Sequence, residues 1–106
     1  WDAVVIPGGW APDRLRIHSE MVELVRKTNE RNGVVAAICH GPSLLVSADI
    51  VRDKKTTSYV AIKDDLVHAG AKWNDAEVVT DGNLITSRTP RDLVPFTKAI
   101  LAALEE

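Results

Sequence analysis

Residues 34–42, Val34-Val35-Ala36-Ala37-Ile38-Cys39-His40-Gly41-Pro42, constrain the fold more than any other stretch. Val34 to Ile38 is continuously apolar rather than alternating, the pattern of a parallel strand buried on both faces. The run ends at the chain's one cysteine, and His40, Gly41 and Pro42 follow at once. Gly41-Pro42 forces a sharp change of direction, after which Ser43 to Ala48 can form a short helix packed on the sheet. A strand, a tight turn and a helix with a nucleophile at the corner is the plan of a nucleophile elbow. A thiol placed there faces unsatisfied backbone N–H groups and the positive end of a helix dipole, both of which favour thiolate. A lone cysteine at a strand end is by itself only a small hydrophobe. The polar ring of His40 beside it has no place in a purely structural strand exit, and turns the reading toward chemistry.

Composition excludes several classes. A chain of 106 residues, 45% hydrophobic, is one globular domain at most. A net charge of −2 offers no long-range attraction to nucleic acid or an anionic membrane surface. The basic loop Arg52 to Lys55 is too short to change that. One cysteine cannot form an internal disulfide, so a disulfide-stapled secreted scaffold is out. No apolar stretch approaches the roughly 20 residues a membrane span requires. No signal or transit segment is present, and the expected location is cytoplasmic. Position 1 is Trp, and Val4-Val5-Ile6 already reads as strand. A start inside a core strand leads to the expectation that residues 1–106 are the latter part of a longer protein.

Along the chain, Trp1 to Ile6 reads as a central strand ending at Pro7-Gly8-Gly9, where the glycines allow positive φ and close backbone approach. Ser19 is placed to cap a helix from Glu20 to about Asn32, with Gly33 as its stop. Met21, Leu24, Val25 and Thr28 supply its inner face. Thr56 to Tyr59 has the composition of a short strand, and Ile62 to Ala69 that of a short helix stopped by Gly70. Ala76 to Thr80 and Leu84 to Ser87 flank Asp81-Gly82-Asn83, a hairpin signal with Gly82 where positive φ is needed. The last helix is capped either by Thr89, with Pro90 first, or by Asp92, which is preferred, and its inner face would be Leu93, Phe96, Ile100, Leu101 and Leu104. The fold class is therefore α/β: a three-layer α/β/α sandwich with a mainly parallel sheet and one β-hairpin. His18, His40 and His68 are scattered without metal-ligand spacing. Pro-Gly-Gly is not a phosphate loop, and no dinucleotide fingerprint appears. No cofactor and no metal are expected.

Four segments then carry a resemblance: Asp2 to Gly9, Ala37 to Pro42, Thr57-Ser58-Tyr59, and Val79 to Arg88. In order and over essentially the whole chain, they resemble the PfpI intracellular-protease branch of the DJ-1/PfpI superfamily. The resemblance implies a flavodoxin-like sandwich related to class I glutamine amidotransferase domains, here without its N-terminal βαβ portion. It implies Cys39 as nucleophile, His40 as its partner, and Asp13 as the acid where relatives have Glu, reaching the histidine of a neighbouring subunit. The backbone N–H groups of Gly9 and His40 are the implied oxyanion hole. Gly8, Gly41 and Arg88 fall at the substrate rim, with Arg88 placed to hold Asp13 or a substrate carboxylate. A second family acid, a Glu near the thiol, belongs to the absent portion. The implied partner is a second copy, in a dimer or trimer of dimers with the site shared between subunits, and exposed Trp10 would suit its interface.

The implied function is a cysteine-dependent hydrolase of PfpI peptidase type, its thiolate attacking the carbonyl of a peptide or small carbonyl compound. A cofactor-free glyoxalase or protein deglycase acting on methylglyoxal adducts uses the same thiolate and is the alternative. A redox-sensing or chaperone-like stress protein is a third reading, although oxidation alone requires neither His40 nor an acid at 13. A glutaminase domain is disfavoured because its late catalytic His and Glu have no counterparts after Ser87.

Overall fold

In the computed structural model, which describes residues 3–105, the apolar run forms the centre of the sheet. Strand β1 is Ala3–Ile6, β2 is Val34–Ile38, β5 is Val78–Asp81 and β6 is Leu84–Ser87, in the order β1-β2-β6-β5. β2 pairs parallel with both β1 and β6, and β5 closes the sheet antiparallel on β6. All five residues of β2 are buried, as an unbroken apolar strand with helices on both faces must be. Trp1 and Asp2, expected in the first strand, lie outside the described residues.

Alternation along β2 divides the core. Val35 and Ala37 join Ile6, Val25, Leu44, Leu45 and Leu66 on one face. Val34, Ala36 and Ile38 join Ile85 and Phe96 on the other. The first face is covered by α2 (Ser19–Glu30), α3 (Pro42–Ser47) and α4 (Lys63–His68), and the second by α5 (Leu93–Glu105). This is the mainly parallel three-layer arrangement expected. A short helix α1 (Ala11–Arg16) packs on α3, and two-residue strands β3 (Lys55–Thr56) and β4 (Lys72–Trp73) form a separate parallel pair. Among the described residues β1 pairs with β2 alone, and Val5 is left 52% exposed. No described helix is long and apolar enough to cross a membrane.

Several local expectations are corrected. The N-cap of α2 is His18, and Ser19 is its first helical residue: the amides of Met21 and Val22 donate to His18 O. That helix ends through Asn32, at φ 59°, one residue before Gly33. The strand expected over residues 56–59 stops at Thr56, because Thr57 N–H donates to Thr86 Oγ1 and Tyr59 N–H to Cys39 O. A 3-10 turn at Val60–Ile62 precedes α4. Another at Pro90–Asp92, behind Thr89, precedes α5, and the Asp92 carboxylate is turned to Arg88 instead of capping. The hairpin forms as expected, with Gly82 at φ 61°.

The last helix differs most. Phe96, Ala99, Ile100 and Ala103 face the sheet, while Leu93, Leu101 and Leu104 are exposed. The four sheet-facing residues follow i, i+3, i+4, i+7, and the two alanines let the helix axis come close to the strands. A count of large apolar side chains favours the leucines, but the close approach favours the alanines. Phe96→Ala is expected to cost about 3–5 kcal/mol in urea unfolding, whereas Leu101→Gln should stay within about 0.5 kcal/mol.

Candidate active site

Cys39 leaves β2 with φ at 63°, a left-handed conformation that costs a non-glycine residue on the order of 1 kcal/mol or more. Its neighbours over-determine that conformation. Cys39 N–H donates to Ser87 O at 3.0 Å, extending the β2–β6 ladder by one bond. Cys39 O accepts Tyr59 N–H at 2.9 Å, and Gly41 N–H turns back to Ile38 O at 2.8 Å. The chain then enters α3 through Pro42, whose missing N–H is of no consequence in a first turn. The elbow expected from the sequence is therefore present.

Two glycines make room for it. A Cβ on Gly8 would lie 2.8 Å from Cys39 Cβ and 3.3 Å from Sγ. A Cβ on Gly41 would lie 2.7 Å from Ile6 O and 2.9 Å from Ile38 O. Both were expected at the substrate rim; the structure gives them a steric task, since no side chain fits between the elbow and the end of β1. Gly9 differs, with φ at 65° and open space where a Cβ would stand.

The thiol is half-buried, and its Sγ lies 3.4 Å from His40 Nδ1. That contact lets the pair exchange a proton, with S–H donating to Nδ1 or Nδ1–H to thiolate. The imidazole also meets an aromatic ring: His40 and Tyr59 centroids are 5.2 Å apart, tilted by 38°. Sequence reasoning assigned Tyr59 no chemical role. The only signal was its place in the Thr57-Ser58-Tyr59 segment of the resemblance, because the contact depends on a tether from residue 59 to residue 39. Among the described residues, the backbone N–H groups of Gly9 and His40 meet no hydrogen-bond acceptor.

Gly9, Trp10, Asp13 and His40 line one cleft of about 350 Å³. Asp13 is brought there by α1, anchored by buried Pro12 and by Arg16 Nε donating to Ser47 Oγ at 2.7 Å. Its carboxylate is exposed and makes no hydrogen bond or ion pair among the described residues, so Asp13 and His40 share a cleft without touching.

Arg88 is not directed at Asp13. Its Nε and Nη2 donate to the two Asp92 oxygens at 3.0 and 3.3 Å, and Nη1 donates to Asp75 Oδ1 at 2.9 Å. A larger cleft of about 630 Å³ runs past Tyr59, Trp73 and Arg88, but neither Cys39 nor His40 lines it. The smaller cleft holds the imidazole, and Cys39 lines neither. Among the described residues no three His, Cys, Asp or Glu converge as a metal ion would require.

The fold and the thiol elbow define a class of α/β proteins with a cysteine at the strand-to-helix corner. The chain matches the DJ-1/PfpI family over residues 1–103 and belongs to that family. It is 45% identical over 105 residues to Deglycase PfpI of Pyrococcus furiosus, covering 99% of this chain and 63% of that protein. To the putative cysteine protease YraA of Bacillus subtilis it is 44% identical over 105 residues, covering 99% of this chain and 62% of that one. A two-domain protein of Anabaena variabilis, with DJ-1/ThiJ/PfpI-like and ferritin-like domains, superposes with a TM-score of 0.97 at 50% identity, over 99% of this chain and 30% of that one. The chain thus spans less than two thirds of the curated relatives it matches.

Two outcomes test the site's construction. Gly41→Ala should destabilise the protein by about 1–3 kcal/mol by chemical denaturation, because its Cβ meets backbone that cannot yield. The second concerns acid. Arg88, by hydrogen bonding, holds the Asp92 carboxyl below its ordinary value against the opposing effect of burial. The unfolded chain therefore binds a proton more readily at this position. The stabilisation is complete above the ordinary carboxylate pKa of about 4 and is lost as pH falls through the lower folded value. Asp92→Asn should flatten the acid limb of a stability-against-pH curve over that interval, leaving the neutral-to-alkaline limb unchanged in shape.

Proposed function

We propose that this chain carries the nucleophilic half of a cysteine-dependent deglycase, acting on the adducts that small dicarbonyls such as methylglyoxal form with amines and thiols. The observation that carries the reading is the strained Cys39, its Sγ 3.4 Å from His40 Nδ1, beside a cleft of about 350 Å³ flanked by two unpaired amides. That volume lies at the small end of ligand pockets and suits a three-carbon carbonyl adduct better than an extended peptide. The name carried by the Pyrococcus furiosus relative agrees. A peptidase of PfpI type is the second reading, favoured by the name of the Bacillus subtilis relative and served by the same thiolate.

In this reading His40 takes the thiol proton, and the sulfur displaces the amine at the carbinol carbon of the adduct. The S–C bond forms as the C–N bond breaks, and His40 gives its proton to the departing amine. The hydrogen on that carbon then moves to the adjacent ketone carbon, which becomes the alcohol while the sulfur-bearing carbon becomes a thioester, so no outside oxidant or reductant is needed. Water hydrolyses the thioester, the developing oxyanion accepting hydrogen bonds from the Gly9 and His40 amides, and lactate and the free thiol are released. No cofactor enters the scheme.

The proposal extends to assembly. Asp13, exposed and unpaired among the described residues, orients the His40 of a second copy in a homo-oligomer, with Trp10, 79% exposed, as an anchor at the contact. The unpaired side of β1 receives the strands that the remaining third of such a protein contributes. An intracellular site of action is part of the same proposal.

Release of lactate from a methylglyoxal–amine adduct and cleavage of a peptide are to be followed in parallel on the full-length protein. Cys39→Ala should abolish adduct turnover, and His40→Ala should lower it by about 10²–10⁴-fold. Asp13→Ala should lower it less, and mixing with Cys39→Ala subunits should recover part of the loss. Undiminished adduct turnover in Cys39→Ala would remove the reading. Cys39-dependent peptide cleavage without adduct turnover would install the peptidase instead.

A further inference from the structure

We infer that Ser58 and Trp73 are positioning residues for the Cys39–His40 pair, acting through Tyr59; the inference rests on the reading of Cys39 as nucleophile. Four contacts form a directed chain. Trp73 Nε1–H can only donate, and it meets Ser58 Oγ at 3.0 Å. Ser58 in turn sends its hydroxyl proton to Tyr59 O at 2.8 Å. Tyr59 N–H donates to Cys39 O at 2.9 Å, and the Tyr59 ring lies 5.2 Å from that of His40.

Each end of the Tyr59 backbone is therefore held. Its carbonyl also accepts Ile62 N–H at 3.1 Å, where the 3-10 turn begins. Ser58 is 1% exposed, so its hydroxyl is committed to these two partners and not to bulk water. Trp73 is fixed by its β4 pairing opposite Thr56 and by Lys63 Nζ, 5.1 Å from the ring centroid.

The consequence falls on His40. Its imidazole meets Sγ through Nδ1 and also packs against the phenol ring. Freeing residue 59 removes the surface that keeps the imidazole turned to sulfur. Displacements of about 1 Å at a proton-transfer contact can cost about 10²-fold in rate. The device also supports the elbow itself, since the tyrosine amide is the donor that holds Cys39 O.

The test uses Ser58→Ala, which removes the hydroxyl, and Trp73→Phe, which deletes only the N–H and keeps an aromatic ring. Two readouts are needed on the full-length protein. One is the pH–rate profile for alkylation of Cys39 by iodoacetamide, which requires no substrate. The other is the split of kcat and KM for a methylglyoxal–amine adduct. Both variants should lower kcat by about 5–30-fold with KM within about twofold. Their alkylation profiles should move toward that of His40→Ala, and the double variant should be no worse than the stronger single one. If Ser58→Ala does not fold, Trp73→Phe decides alone. Wild-type alkylation profiles in folded variants, or effects that multiply in the double variant, would overturn the inference. If the protein turns over no adduct in any form, the alkylation profiles still decide, so failure of the function reading and failure of this one are separable.

Discussion

The left-handed backbone of Cys39 is the constraint on which the rest depends. A φ of 63° at a residue with a Cβ does not persist on its own. It survives here because its N–H is fixed by Ser87 at the end of β6 and its carbonyl by Tyr59 on the connection after β3. β6 in turn is held parallel to β2 by register from Val35 to Ile38, and that register is set by burial of both faces of β2. Core packing thus determines where the ladder ends, and the end of the ladder determines where the thiol points. The same arrangement explains why residues 8 and 41 have no side chain, since β1 ends directly against the elbow.

Charge is arranged so that little of it competes with the thiol. Arg88 is occupied by Asp92 and Asp75 beside the neighbouring larger cleft. His40 and the exposed Asp13 are left as the titratable side chains lining the smaller one. A cleft with one imidazole, one free carboxylate and two open amides is suited to moving a proton and receiving a negative oxygen. The DJ-1/PfpI membership places this arrangement in a family whose curated relatives include proteins named as deglycases and as a cysteine protease.

How much of this was legible in the sequence follows from the range of each interaction. The elbow was readable because its determinants are consecutive: an unbroken apolar run, then Cys39, His40, Gly41 and Pro42. The hairpin was readable for the same reason, through Asp81-Gly82-Asn83. Thr56 to Tyr59 misled because β propensity is local, whereas Thr57 and Tyr59 spend their amides on partners 29 and 20 residues away, Thr86 and Cys39. Those long tethers are also why Tyr59 and Ser58 carried no visible role. In α5 the signal was the wrong quantity, size in place of closeness, so Leu101 was preferred to Ala99. Arg88 had its partner Asp92 four residues away, across the turn that leads from β6 into the last helix.

The central claim is that the strained Cys39 is the atom that bonds to substrate, with His40 taking its proton. The most direct measurement is rapid-quench peptide mass spectrometry on the full-length protein mixed with excess carbonyl adduct. A substrate-derived mass on the peptide containing Cys39, formed and lost at the rate of turnover and slowed in His40→Ala, is the predicted result. Turnover proceeding with Cys39 unmodified at every quench time, and at the same rate after the thiol is blocked, would contradict it.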